Sequence, residues 1–168
     1  MGVVADIART YRHGPRAVVA EHVARGPQEA RAFALLMLGC GLVWLAQWPR
    51  LMRDVQAGLP DPEVTFQQLA GTALVTWVFL MPLVFFGLAA LTNLASRALG
   101  GQGEPWTARL ALFWAWLAAS PLALVAGLAA GFTGSSPLAN LLAILWIGVF
   151  AAFWAAGQRE ASGQAARA

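Results

Sequence analysis

Residues 69–91 of this chain read LAGTALVTWVFLMPLVFFGLAAL, a stretch without one ionisable side chain. A helix of about 20 apolar residues crosses the hydrocarbon core of a bilayer. Three further stretches of the same character lie near residues 32–48, 110–130 and 138–156. Their single ionisable group is the thiol of Cys40. The sequence therefore predicts an all-α membrane protein with four transmembrane helices.

The composition excludes an ordinary soluble domain. Hydrophobic residues make up 59% of the 168 residues and charged residues only 11%, whereas soluble domains carry about 25% charged residues. The net charge of +3 would suggest a nucleic-acid partner in a soluble protein. Because arginines beside membrane spans set topology instead, we predict the lipid bilayer as a partner and no nucleic acid.

Residues 1–30 are predicted to form a short amphipathic segment that lies at the membrane surface. One helical face carries apolar side chains, and His13-Gly14-Pro15 interrupts the helix before a second short one. The predicted apolar face comprises Val3, Val4, Ile7, Ala8 and Tyr11. Basic residues on such a segment favour contact with lipid headgroups, and the candidates are Arg9, Arg12, Arg16, Arg25 and Arg31.

The bundle is predicted to cover residues 31–157. Trp48-Pro49-Arg50 is expected to end the first span, because proline cannot continue a helix without losing a hydrogen bond. The second span begins either at Asp61-Pro62, an N-cap with a first-turn proline, or at the Thr65/Gln68 capping box. The small polar residues 158–168 predict a disordered tail.

Four positions are candidates for shaping or packing the helices. Pro82 and Pro121 lie inside spans two and three and predict kinks. Gly127 and Gly131 have the GxxxG spacing that allows two helices to approach closely. The polar residues inside the spans are expected to bond their own backbone or to join helices, and they are Thr72, Thr76, Ser120 and Asn140.

The arginines predict the orientation of the chain. Two of them, Arg50 and Arg53, lie in the first loop, whereas nine lie in the N-terminal segment, the second loop and the tail. Because cytoplasmic segments carry an excess of Lys and Arg, both termini are predicted to be cytoplasmic. The expected location is a bacterial inner membrane.

The sequence offers no constellation for catalysis. His13 and His22 are nine residues apart, outside a metal-binding helical spacing. Ion- or proton-coupled transport, like haem ligation, calls for charged or histidine side chains inside the spans. We therefore predict a non-enzymatic protein with no catalytic residue, cofactor or metal.

Several stretches resemble a known family. They are Gly14-Pro15-Arg16, Gln47-Trp48-Pro49-Arg50-Leu51, residues 77–83 with Pro82, and residues 111–122 from Ala-Leu-Phe-Trp to Ala-Ala-Ser-Pro-Leu. With these, the chain resembles the small bacterial Yip1-family membrane proteins, particularly those of alphaproteobacteria. The resemblance implies a polytopic, non-enzymatic protein. The family is usually described with about five spans, against four here, and its eukaryotic role in vesicle trafficking with small GTPases does not transfer to a bacterium.

Three functions remain open from the sequence. The first is an accessory or structural subunit that packs against a larger membrane complex or against itself. The second is a lipid-binding or membrane-shaping protein anchored by its basic N-terminus. The third is an oligomeric small-solute transporter or channel that uses the helices with Pro82 and Pro121.

Overall fold

The structure of this protein is a computed structural model that describes residues 2–98 and 105–165, and every regular element within these residues is helical. The elements are α1 (Val3–His13), α2 (Pro15–Ala24), α3 (Glu29–Gln56), α4 (Phe66–Leu74), a π-helical turn (Val75–Leu80), α5 (Met81–Ala98), α6 (Pro105–Thr133) and α7 (Pro137–Ala165). By length and composition, four segments are membrane spans: α3, the continuous α4–π–α5 helix, α6 and α7. The prediction of an all-α membrane protein with four spans is confirmed.

Helix α6 lies at the centre of the bundle, and the other three spans pack around it. It runs parallel to α3, because Arg109 at the start of α6 pairs with Glu29 at the start of α3. It runs antiparallel to α7, since Gly157 near the end of α7 lies against Ala111. The starts of α3 and α6, the later turns of α7 and Val19 of α2, which lies beside Gly157, therefore share one end of the bundle.

Helices α3 and α6 approach each other closely at two glycines of α6. A Cβ atom placed on Gly127 would lie 1.8 Å from the carbonyl oxygen of Ala46, and one on Gly131 would lie 2.4 Å from Cβ of Pro49. Real Cβ atoms do not approach so closely, so only glycine fits at either position. The two glycines of the GxxxG spacing thus lie in a real helix contact.

The prediction that the helix of the first span ends at Trp48-Pro49-Arg50 is wrong. Helix α3 continues through Pro49 for seven further residues to Gln56. Pro49 costs the helix one hydrogen bond, but the contact with Gly131 packs this turn against α6. The guanidinium of Arg53, one turn later, donates to the carbonyl oxygen of Phe132 at 3.0 Å. These long-range contacts hold the helix together past the proline.

The second span begins at the capping box. The Thr65 hydroxyl accepts from the backbone N–H of Gln68, and the Gln68 side chain accepts from the backbone N–H of Thr65. The π-helical turn immediately precedes Pro82 and contains a wide hydrogen bond from the Met81 N–H to the Thr76 carbonyl. A π turn and a proline both change the direction of a helix, so the backbone irregularity in this span is centred just before Pro82. Helix α6 passes through Pro121 without interruption.

Three of the four polar residues inside the spans bond their own helix, as predicted. The hydroxyl groups of Thr72, Thr76 and Ser120 donate to the carbonyl oxygens three or four residues earlier, at 2.8–3.0 Å. This leaves them without a hydrogen to offer a ligand. Asn140 differs, because it lies at the edge of a cleft.

The prediction of a disordered tail from residue 158 is also wrong for residues 158–165. Helix α7 continues to Ala165, and Gln158 donates from Nε2 to the carbonyl oxygen of Ala108 at 3.0 Å. This bond joins the end of α7 to the start of α6. The last part of that prediction, residues 166–168, lies outside the described residues.

Candidate functional site

A cleft of about 460 Å³ opens between the first and fourth spans, over α6, at the end of the bundle that holds the first and third loops, and it reaches Trp77 of the second span. We call it the Trp77–Trp146 cleft, after the indole rings that line it from the π-helical turn and from α7. Small residues line it from α6 and α7, namely Ala123, Ala126, Gly127, Ala130, Ala139 and Ala143. A helix surface without bulky side chains allows another backbone to approach closely.

The open end of the cleft is polar. Gln47, Arg50 and Asp54 line it from α3, and Asn140 lines it from α7. The Nε atom of Arg50 lies 3.6 Å from Oδ2 of Asp54. The cleft therefore presents charged and amide groups at its mouth and small apolar groups along its floor.

An aromatic cluster closes the inner end. Trp116 of α6 lies at its centre and is 3% exposed. Its ring is stacked on Trp77, with centroids 6.0 Å apart and an interplanar angle of 17°, and is tilted against Trp146 at 5.4 Å. Gly39 of α3 makes room for this indole, because a Cβ there would lie 2.6 Å from Cδ1 of Trp116. In the described part of the chain, the buried indole nitrogen of Trp146 has no hydrogen-bond acceptor.

The N-terminal segment is docked against the bundle by polar side chains. We call α1 and α2 together the N-terminal cap. Asp6 and Thr10 are the most buried side chains of α1, at 2% and 1% exposure, whereas Val4 is 82% exposed. Of the predicted apolar face, Val3 and Ile7 pack partly against the core, whereas Val4, Ala8 and Tyr11 are exposed, and the most buried side chains of α1 are polar. The reason is a hydrogen bond across the fold, in which Nε1 of Trp114 donates to Oγ1 of Thr10 at 3.2 Å.

The second helix of the cap adds apolar contacts and a buried imidazole. Val18 and Val19 are each 1% exposed and belong to the core. The ring of His22 packs on Trp114 with centroids 4.9 Å apart. A guanidinium only donates, so Nδ1 of His22 accepts from Arg25 at 3.4 Å and the proton of the neutral ring sits on Nε2. Nε2 faces Oδ2 of Asp6 at 3.9 Å.

An ion-pair network joins the two cap helices. Arg9 contacts Asp6 at 3.3 Å and Glu21 at 3.0 Å, and Arg25 also pairs with Glu21. The hydrogen bond from Arg9 holds the pKa of Glu21 below its usual value. Burial lowers the pKa of His22, and the nearby charges of Arg31 and Arg25 lower it further.

Because of this network, the five arginines predicted to contact lipid headgroups lie in different environments. Arg9 and Arg25 are engaged in ion pairs within the cap. Arg12 and Arg16 are exposed on its outer surface, and Arg31 is half-buried at the start of α3. The segment is thus a docked part of the fold, and Arg12 and Arg16 are exposed outside this ion-pair network.

The remaining candidate positions lie inside the bundle. Pro82 is buried behind the π-helical turn, and Pro121 is half-buried in α6. Gly127 and Gly131 occupy the contact with α3, and Gly127 also lines the cleft. Within the residues that the structure describes, no three His, Cys, Asp or Glu side chains are grouped so that they could hold a metal ion.

The comparisons with known proteins add no identification. No family model matches the sequence, and no curated protein or solved structure matches the chain. The resemblance to the Yip1 family therefore stays a prediction. Fold and site define the class of the protein: a polytopic helical membrane protein with an amphiphilic cleft at one end of the bundle and a docked helical cap at the other.

Proposed function

We propose that this chain is a non-enzymatic accessory membrane protein and that the Trp77–Trp146 cleft binds one transmembrane helix of a different membrane protein. The observation that supports this most directly is the small-residue floor of the cleft. Ala126 and Ala130 of α6, like Ala139 and Ala143 of α7, are spaced four residues apart, the spacing that lets two helices pack closely in a membrane.

The exposed surfaces of the two spans that carry Trp77 and Trp146 support the same proposal. The second and fourth spans have mean hydropathies of 2.3 and 2.1, yet only 17% and 6% of their most apolar windows are buried within the chain. In a bilayer, helices associate through van der Waals packing and interhelical hydrogen bonds, since lipid tails are as apolar as leucine. A rigid helix fills an alanine-lined cleft more completely than a fluid acyl chain does.

The polar mouth would fix the register of the bound helix. The Arg50–Asp54 pair and the amide of Asn140 lie at the level where a spanning helix ends in polar residues. Serine, threonine or exposed carbonyl groups of a partner helix would satisfy these donors.

A different protein fits the cleft better than a second copy of this chain. A two-fold dimer brings the same surface of each copy together, and two concave clefts cannot fill one another. The predicted orientation, with nine arginines on the cytoplasmic side of a bacterial inner membrane, would place the mouth on the opposite side.

Site-specific photo-cross-linking in the native membrane tests this function. A photoreactive residue replaces Ala143, which lines the cleft, or Leu141, which is 62% exposed on the outer face of the same helix. We expect a discrete heavier protein adduct from position 143 and only lipid adducts from position 141. Lipid adducts alone from both positions, or an adduct with the mass of two copies, would contradict the proposal.

A matched pair of substitutions supplies a second test. Ala143→Leu fills the cleft, whereas Gly148→Leu adds the same side chain where a Cβ meets nothing within 4 Å. After mild detergent extraction, the partner should co-purify with the Gly148→Leu variant and be lost from the Ala143→Leu variant. Equal recovery with both variants would exclude the cleft as the binding surface.

A further inference from the structure

A second groove, of about 430 Å³, lies between α5 and the start of α6, at the end of the bundle that holds the N-terminal cap. We call it the Arg97–Arg109 groove. Its lining residues on α5 follow one helical stripe, at spacings of three and four, and Arg109 of α6 faces them. The stripe consists of Phe86, Ala89 or Ala90, Asn93 and Arg97.

The stripe changes from polar to apolar with depth. Arg97 and Asn93 lie near the end of α5, followed inward by two alanines and then Phe86. At 1.5 Å per residue, Arg97 and Phe86 are about 16 Å apart along the helix. The hydrocarbon core of a bilayer is about 30 Å thick, so the groove is about as long as the hydrocarbon layer of one leaflet is thick.

The wide end of the groove is basic. Arg97 is exposed, and Arg109 pairs through Nη2 with Glu29, which lies outside the groove. Nε of Arg109 is buried and has no acceptor among the residues that the structure describes. None of the described lining residues is acidic. Helix α6 begins at Pro105 in the groove wall, and the N-terminus of a helix carries a partial positive charge.

We infer that this groove binds one anionic glycerophospholipid. Arg97 and Arg109 hold the phosphate, the Asn93 amide lies at the depth of the glycerol esters, and one acyl chain follows Ala89 and Ala90 to Phe86. Basic pockets between spanning helices bind anionic headgroups in this manner. The apolar stripe distinguishes a lipid from free phosphate, and the two arginines at the mouth, with no acidic side chain among the described lining residues, distinguish it from a transmembrane helix.

This inference is independent of the helix-binding cleft, which lies at the other end of the bundle. It moves lipid recognition away from the N-terminal arginines, two of which are paired within the cap. It also assigns a specific lipid class to a defined site rather than to a charged surface.

Native mass spectrometry of the full-length protein in detergent tests the assignment, with equimolar phosphatidylglycerol and phosphatidylcholine as the probes. The wild-type protein should retain one phosphatidylglycerol in preference to phosphatidylcholine. An arginine near an anionic group contributes roughly fivefold to binding, so the double variant Arg97→Gln/Arg109→Gln should lose about 25-fold in phosphatidylglycerol affinity.

The matched control is Arg12→Gln/Arg16→Gln, which removes the same charge from exposed positions at the same end of the bundle. In detergent it should change the affinity by less than about twofold, because Arg12 and Arg16 do not line the groove and salt screens charges at a distance from the bound lipid. An equal loss in both double variants would show that net charge alone is responsible and would overturn the site. Unchanged affinity in Arg97→Gln/Arg109→Gln would overturn it as well.

A groove-filling variant tests the acyl part and leaves every charge in place. Ala90→Leu narrows the groove, and Ala95→Leu adds the same volume to an exposed part of α5 that does not line it. Only Ala90→Leu should weaken phosphatidylglycerol retention, by about tenfold. Excess inorganic phosphate should not displace the lipid. Displacement by phosphate, or equal retention by the two leucine variants, would contradict an acyl-chain site.

Discussion

Helices α6 and α7 show how two spans of nearly equal hydropathy come to lie in different places. Each is 29 residues long, and their mean hydropathies are 1.8 and 2.1. Yet 72% of the most apolar window of α6 is buried within the chain, against 6% for α7. Hydropathy therefore places a helix in the membrane but does not determine its position within the bundle.

The difference arises from side-chain size and from long-range contacts. Small residues let α3 approach α6 along one side, and Trp116 anchors the second and fourth spans on another. Helix α7 contacts α6 along one face and leaves large side chains such as Leu141 and Ile144 exposed. In this fold α6 forms the core of the bundle, and the exposed face of α7 is left to contact lipid or a partner.

The largest expected effect is a loss of stability when a leucine is truncated to alanine in α6, compared with the same truncation in α7. Leu117 of α6 is fully buried, whereas Leu141 of α7 is 62% exposed. Leu117→Ala should lower the free energy of unfolding by about 3 kcal/mol, because it leaves a cavity in a packed interior. Leu141→Ala should change it by less than about 0.5 kcal/mol. Unfolding in mixed micelles measures both, and similar losses would refute the central position of α6.

The glycines offer a second comparison of the two helices. Gly127→Ala places a Cβ 1.8 Å from a carbonyl oxygen of α3, so α3 and α6 must separate, at a cost of about 2–3 kcal/mol. Gly148→Ala on α7 meets nothing within 4 Å and should be neutral or slightly stabilising. The midpoint of thermal aggregation in detergent distinguishes them. If Gly127→Ala leaves the midpoint of thermal aggregation unchanged, then α3 and α6 do not pack as closely at Gly127 as the structure shows.

The sequence predicts those parts of this fold that depend on local pattern. Four apolar stretches locate the spans, and the GxxxG spacing finds Gly127 and Gly131. The sequence does not predict the end of α3 correctly. Pro49 costs the helix a hydrogen bond, but its contact with Gly131, 82 residues away in the sequence, stabilises the helix there. The end of α7 is missed for the same reason, since Gln158 finds its acceptor in Ala108.

The candidate sites depend even more on long-range contacts. Alanine pairs four residues apart are frequent in this chain, so their spacing alone does not identify the floor of the cleft. The cleft is identified only in the folded structure, where Trp77 and Trp146 both contact Trp116. In the N-terminal cap, the i, i+4 pair of Asp6 and Thr10 was an available signal of a polar inward face. Its partner, Trp114, is more than a hundred residues away in the sequence.

A smaller effect is expected at the hydrogen bond between the cap and α6. Thr10→Val keeps the side-chain shape but leaves the buried indole N–H of Trp114 without its acceptor. Docking of the cap should weaken by about 1–2 kcal/mol. Hydrogen exchange of the α1 amides measures this directly. Thr72→Val, in which the lost bond is to the helix's own backbone at an exposed position, is the control and should leave α1 unchanged.

The smallest expected effect is a pH dependence of cap docking that originates at His22. Its pKa is lowered first by burial and then by Arg31 and Arg25, while Asp6 and Glu21 oppose the shift. A histidine in the undocked cap has a pKa near 6.5. At pH values between 6.5 and the lowered pKa of the docked state, the undocked cap therefore binds more protons than the docked cap. Docking should therefore be strongest above about pH 6.5 and should weaken as the pH falls below it.

Limited trypsin cleavage within residues 1–25 measures this change, with each rate corrected for the activity of trypsin on an unstructured peptide at the same pH. Cleavage of the wild-type cap should accelerate on acidification by less than Thr10→Val accelerates it at neutral pH. The variant His22→Gln cannot titrate at this position and should show a flat profile. His13→Gln, at the exposed end of α1, should retain the wild-type profile. If His13→Gln abolishes the pH dependence while His22→Gln preserves it, the buried imidazole is not the group that couples protonation to the docking of the cap on α6.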